Sequence, residues 1–281
     1  MYKWRGGNLL NGSIILLCSL WLHGCVRSAP PSAESRAVHA ARIATVAGWT
    51  ARTVHTPEFT FKAYGSKPMP AAKDLTIYIE GDGLAWISAD TPSDNPTPIT
   101  PTGLEIAIHD KQHMQVVYLA RPCQFVFGSE WGGCRSDYWT GLRFSPEIIQ
   151  ATNQAVDDLK KSYHAKKITL AGYSGGGAVA ALVAARRADV VRLITIAGTL
   201  DIDYWVRQNS LTPLRGSLNP ADAWEALASI PQTHWVGGND TVVPKAVAFS
   251  YARRFPDSNK PDIKVMPTFD HVCCWATDWA P

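Results

Sequence analysis

The sequence carries no strong excess of charge. Its 27 lysines and arginines face 24 aspartates and glutamates, and two of the cations, Lys3 and Arg5, precede a short apolar leader. The remainder is nearly neutral, which gives no case for nucleic acid or another polyanion as a partner. Residues 14–22 are apolar but too few to span a bilayer. Gly-x-Gly-x-x-Gly is absent, and no Gly-Lys-Ser/Thr follows the glycine-rich stretch at 172–177, so a phosphate-cradling loop is poorly supported. None of the six cysteines forms a C-x-x-C pair, which disfavours zinc. No metal or cofactor is implied, and no internal repeat is visible.

What is present suits one large α/β domain: 281 residues, 46% hydrophobic and 18% charged. The first 24 residues read as a secretory signal, with basic residues ahead of a short apolar core. The segment ends Leu22-His23-Gly24-Cys25, which resembles the bacterial lipobox. The expectation is a signal peptide over 1–24, lipid on Cys25, a flexible Ser/Pro/Ala-rich tether over 25–42 and a single domain over 43–281. Such a protein is exported and lipid-anchored in the cell envelope, at the periplasmic or outer-membrane face. The competing expectation is ordinary cleavage near Ala29 and a soluble product. Cys18 falls in the signal and Cys25 would carry lipid, leaving Cys123, Cys134, Cys273 and Cys274 for disulfides in an oxidising compartment. A Cys123–Cys134 bridge is expected across the loop between them. Closing that loop contributes on the order of 3 kcal/mol in the chain-entropy model. Cys273 and Cys274 would either pair with each other or send one member to the other loop.

Local pattern places the elements. Residues 52–56 and 59–64 read as opening antiparallel strands, and residues 75–80 and 114–120 as buried strands. Residues 90–103 carry four prolines and form an irregular loop. Ser145-Pro146-Glu147 is a helix start, followed by apolar residues at helical spacing through Tyr163. Strands at 190–198, 233–238 and 263–266 then alternate with helical stretches, which calls for a mostly parallel sheet with helices on both faces.

The chemistry centres on Gly172-Tyr173-Ser174-Gly175-Gly176, a G-x-S-x-G motif. The apolar run 168–171 before it suits a buried strand, and the alanine-rich run 178–185 after it suits a helix. That context is what a nucleophile elbow requires: serine on a sharp turn, glycines allowing strand and helix to approach, and a helix N-terminus favouring negative charge. Ser174 then needs a histidine base oriented by a carboxylate. Of the eight histidines, only His234 and His271 follow it. His234 lies inside an apolar strand and reads as a core residue. His271 lies on a loop beyond the last strand, at the sheet edge where such folds place their sites. Asp240, on the turn after the penultimate strand, is the carboxylate best placed between them; Asp201, Asp203 and Asp270 are its rivals.

Ser174, the Gly238-Asn239-Asp240-Thr241-Val242-Val243-Pro244 segment and Asp270-His271, in this order, resemble the nucleophile, acid and base motifs of the α/β-hydrolase family over roughly residues 75–275. The resemblance implies the α/β-hydrolase fold and an oxyanion hole made by the Gly175 N–H and one from the loop after the third strand. Many relatives have His-Gly in that loop; this chain has Glu80-Gly81-Asp82-Gly83, so the donor would be the Asp82 or Gly83 N–H. An aspartate there is tolerable if its side chain points away into a hydrogen-bonding role. The expected function is a serine hydrolase cleaving an ester or related acyl bond of a small molecule through an acyl-enzyme. Its rival is a non-catalytic lipoprotein of the same fold that binds a ligand or an envelope partner. Trp86, Phe125, Phe127, Trp131, Trp139 and Trp275 would either line an apolar pocket or pack beneath long loops.

Overall fold

The computed structural model describes residues 29–69 and 71–279. Among these residues eight strands form one sheet in the order β1-β2-β4-β3-β5-β6-β7-β8: β1 Thr50–His55, β2 Thr60–Gly65, β3 Asp74–Ile79, β4 Val116–Leu119, β5 Lys167–Tyr173, β6 Val190–Ile196, β7 Gln232–Gly237 and β8 Asp262–Met266. The pairs β1–β2 and β2–β4 are antiparallel and all others are parallel. The central strands are buried on both faces, which is why they read as continuous apolar runs rather than alternating ones.

Among the described residues seven α-helices accompany the sheet: α1 Ala33–Val46, α2 Thr102–His109, α3 Pro146–Ser162, α4 Gly175–Ala184, α5 Ile202–Gln208, α6 Trp224–Leu227 and α7 Ala246–Ala252. Alternation along the strands splits the core in two. Leu75, Ile77 and Ile79 of β3 pack with side chains of α3, α4 and α7, whereas Tyr78 packs with α1, α2 and the C-terminal Trp275 and Trp279. Helix α3 starts as its sequence requires, with the Ser145 hydroxyl accepting from the Ile148 N–H and proline in the first turn.

The signal peptide expected over 1–24 and the expected lipid site Cys25 lie outside the described residues. The tether expected over 25–42 is corrected where it can be seen: α1 occupies Ala33–Val46, capped by the Ser32 side chain. Ala40 and Ala44 are buried in the core, and the buried Arg36 guanidinium donates to the carbonyls of Thr97 and Asn95. Alanine suits a helix better than any other residue, and only packing shows which of its roles applies. The Cys123–Cys134 bridge is present, and Cys273 pairs with Cys274.

Candidate active site

The parallel strands end on one edge of the sheet, and the expected site residues converge there. Ser174 follows β5 and caps α4 with φ 53° and ψ −124°, a left-handed conformation costly for a residue with a side chain. The glycines either side permit this turn. A Cβ on Gly172 would fall 2.2 Å from the Gly176 carbonyl oxygen, and one on Gly176 would fall 2.3 Å from that of Ile79.

His271 Nε2 lies 3.0 Å from Ser174 Oγ, and His271 Nδ1 lies 2.9 Å from Asp240 Oδ2. A carboxylate only accepts, so Nδ1 carries the proton and Nε2 is free to receive one from Ser174. The Asp240 side chain is fully buried, and its other oxygen accepts from the N–H groups of Val242 and Val243, both at 2.8 Å. The His271 loop is held as firmly. Asp270 Oδ1 accepts from the Val272 and Cys273 N–H groups, the Tyr173 hydroxyl donates to the His271 carbonyl, and the Tyr173 ring lies 5.5 Å from the imidazole.

The rival carboxylates are engaged elsewhere. Asp201 caps α5 and accepts from the Ser250 hydroxyl, Asp203 is exposed, and Asp270 serves its own turn. His234 is a core residue, fully buried between Thr195 and Gln232, and burial depresses its pKa to about 3.

The loop after β3 runs beside Ser174, where the oxyanion donors were expected. The Glu80 N–H donates to the Leu119 carbonyl, the Gly81 N–H to Glu80 Oε1, and the Leu84 N–H to the Pro96 carbonyl. Among the described residues no acceptor engages the N–H groups of Asp82, Gly83 or Gly175, and Asp82 and Gly83 line the cavity that holds Ser174. The Asp82 carboxylate turns into a salt-bridged arrangement, with Arg121 Nη1 at 2.9 Å from Oδ1 and Arg143 Nη1 at 2.6 Å from Oδ2. Burial works to raise its pKa, but the two guanidiniums outweigh that and hold it below the ordinary carboxylate value. Sequence reading did not find either arginine. Arg121 had a weak signal, since it stands just past the end of a buried strand; Arg143 had none.

Glu80 behaves oppositely. It is buried, accepts from Gly81, Gly103 and the Tyr118 hydroxyl, and burial raises its pKa from 4.5 to about 7. Between those values the folded protein holds a proton that the unfolded chain has released, so stability falls as pH rises through that window. The rise corresponds to about 3 kcal/mol. Glu80→Gln keeps the acceptor oxygen and should flatten the pH dependence of the denaturant midpoint between pH 4.5 and 7.

A cavity of about 830 Å³ opens on Ser174 and His271. Trp86, Ile99, Trp205, Leu211, Leu214 and Val242 supply much of its apolar wall. Of the aromatic residues singled out in the sequence, only Trp86 lines it. Phe125, Trp139 and Trp275 are core residues, and Trp131 packs against the core. The insertion after β6, which holds Trp205, Leu211 and Leu214, carries no motif that marks it as a pocket wall. Among the described residues no cluster of three or more His, Cys, Asp or Glu side chains could hold a metal ion, and no helix is long and apolar enough to cross a membrane.

The strand order and the serine turn define an α/β-hydrolase fold. Comparison with solved structures agrees. Similar folds include Est1E from Butyrivibrio proteoclasticus (TM-score 0.56, 15% identity, covering 80% of this chain and 92% of that one). A Pyrococcus furiosus esterase, Pf2001, gives TM-score 0.56 and 15% identity over 81% of this chain and 85% of its own. Pyrococcus horikoshii acylaminoacyl peptidase gives TM-score 0.56 and 12% identity over 79% of this chain and 37% of its own. At such identities the likeness is one of fold, and fold alone does not fix activity. No protein-family model matches the sequence, and no curated protein matches it.

Proposed function

We propose that the protein is a serine hydrolase that cleaves an ester, or a related acyl bond, through an acyl-enzyme on Ser174. The observation that carries this reading is the continuous hydrogen-bonded series Asp240–His271–Ser174, opening into an apolar cavity. Ser174 Oγ attacks the carbonyl carbon while His271 Nε2 takes its proton. The oxyanion accepts from the Gly175 N–H and from Asp82 or Gly83, at the positive end of α4. His271 then gives the proton to the departing alcohol, and water, activated by the same histidine, releases the acid. Esters need the least help in leaving, which favours them over amides. The esterase and the acylaminoacyl peptidase named above show that similar folds accommodate both kinds of acyl substrate.

The cavity's size and apolar wall suit a bulky apolar acyl or aryl group. Across p-nitrophenyl esters of increasing chain length, kcat/KM should rise by about 3-fold or more per added CH₂ until the cavity is filled. Leu214→Trp should move that maximum to shorter chains. Failure of the folded, oxidised protein to hydrolyse any member would contradict the assignment. We further propose that Cys25 is lipidated and holds the protein in the cell envelope; Cys25→Ser should abolish lipid labelling and release the protein from membranes.

A further inference from the structure

Three buried or half-buried charges meet where a hydrolase needs few. Asp82 lies between Gly81 and Gly83 at the end of β3, Arg121 comes from the loop after β4, and Arg143 from the segment before α3. Both arginine side chains are almost wholly buried, with 5% and 7% exposure, while that of Asp82 is 21% exposed. They also interlock. Arg121 Nη2 donates to the Arg143 carbonyl, Arg143 Nε donates to that of Thr140, and the Arg121 guanidinium stacks over Phe144. Removing three charges from water is expensive, and apolar residues of similar volume often serve stability as well or better.

The location suggests another use. The Gly81 carbonyl accepts from Gln124 Nε2, and the Gly81 and Leu84 N–H groups are already paired. The untied N–H groups of Asp82 and Gly83 are therefore oriented from both flanks and by the grip on the Asp82 side chain. That carboxylate also reaches the other donor residue, since a Cβ on Gly175 would fall 2.1 Å from Asp82 Oδ1. An unpaired carboxylate there would oppose a developing oxyanion; with two guanidiniums bound, the trio carries net positive charge and favours it.

We infer that Arg121 and Arg143 grip the Asp82 carboxylate as a positioning device for the oxyanion site, aiming the Asp82–Gly83 N–H groups beside Ser174 and reversing the local field. This rests on the hydrolase reading. The two arginines and the Asp82 carboxylate touch no reacting atom. Their effect falls on the transition state, so kcat moves and KM does not.

The test is steady-state kinetics on a p-nitrophenyl ester, paired with inhibition by a phenylboronic acid whose serine adduct places a negative oxygen in the same site. Arg143→Gln leaves the Asp82–Arg121 pair neutral and intact, so the chain should fold; thermal melts check this. Its kcat should drop about 10²-fold and boronate affinity by a similar factor, with KM within about 3-fold of wild type. Arg143→Lys, which restores charge without the planar fork, should recover about tenfold of that loss. Asp82→Asn raises the positive charge but loosens the grip, so a kcat about 10²-fold below wild type separates aim from charge. Wild-type kcat and boronate affinity in folded Arg143→Gln and Asp82→Asn would overturn the inference. If the wild-type protein hydrolyses no ester, the hydrolase reading fails and this inference with it.

Discussion

Ser174→Ala should lower ester turnover by on the order of 10⁶, and His271→Ala by about as much. The two act as one unit: without the imidazole the hydroxyl keeps its proton, and without the hydroxyl the imidazole has nothing to activate. The double variant should therefore be no slower than either single one, far from the product of the two losses. The residual rate should come from the oxyanion N–H groups and the cavity, which both variants retain. Neither substitution removes a core contact, since both side chains face the cavity, so melting temperatures should stay near wild type. A double variant slower by the product of the two losses would mean that serine and histidine act independently.

Asp240→Asn should reduce turnover by on the order of 10⁴, and the hydrogen bonds say why. Oδ1 accepts from two backbone N–H groups, so the amide oxygen of an asparagine must stay there. Its NH₂ then faces His271 Nδ1, which must become an acceptor, and the ring proton moves to Nε2. In that tautomer His271 cannot take the Ser174 proton. Asp201→Asn and Asp270→Asn should change kcat by less than about tenfold, because Asp201 points to Ser250 and Asp270 holds a turn that asparagine also forms. A loss of about 10⁴ in either of these, with Asp240→Asn near wild type, would move the acid elsewhere.

How much of this could be read without coordinates depended on how local each signal was. The serine turn was legible because strand, glycines and helix are consecutive, and Gly172 and Gly176 sit where backbone atoms approach within a Cβ's reach. His271 and Asp240 were legible because chain order and strand ends limit the choice. His234 was readable as a core histidine from its apolar strand. Helix α1 was not: the stretch before and within it is rich in serine, proline and alanine, and only Arg36 bonding to the 95–97 loop and Ala40 entering the core distinguish helix from tether. Arg121 and Arg143 lie 39 and 61 residues beyond Asp82. They reach it only because β3 and β4 are adjacent and the segment before α3 folds back over them. No pattern in the chain announces contacts made by topology. The cavity wall was hidden for the same reason, since apolar residues on three separate loops and on α5 become a wall only once these are assembled.

The most direct test is labelling with a fluorophosphonate, followed by peptide mapping. The wild-type protein, folded and with its disulfides formed, should carry one label on the peptide containing Ser174, and Ser174→Ala should carry none. Absence of label on the folded wild type, or label on another residue that persists in Ser174→Ala, would contradict a nucleophilic Ser174.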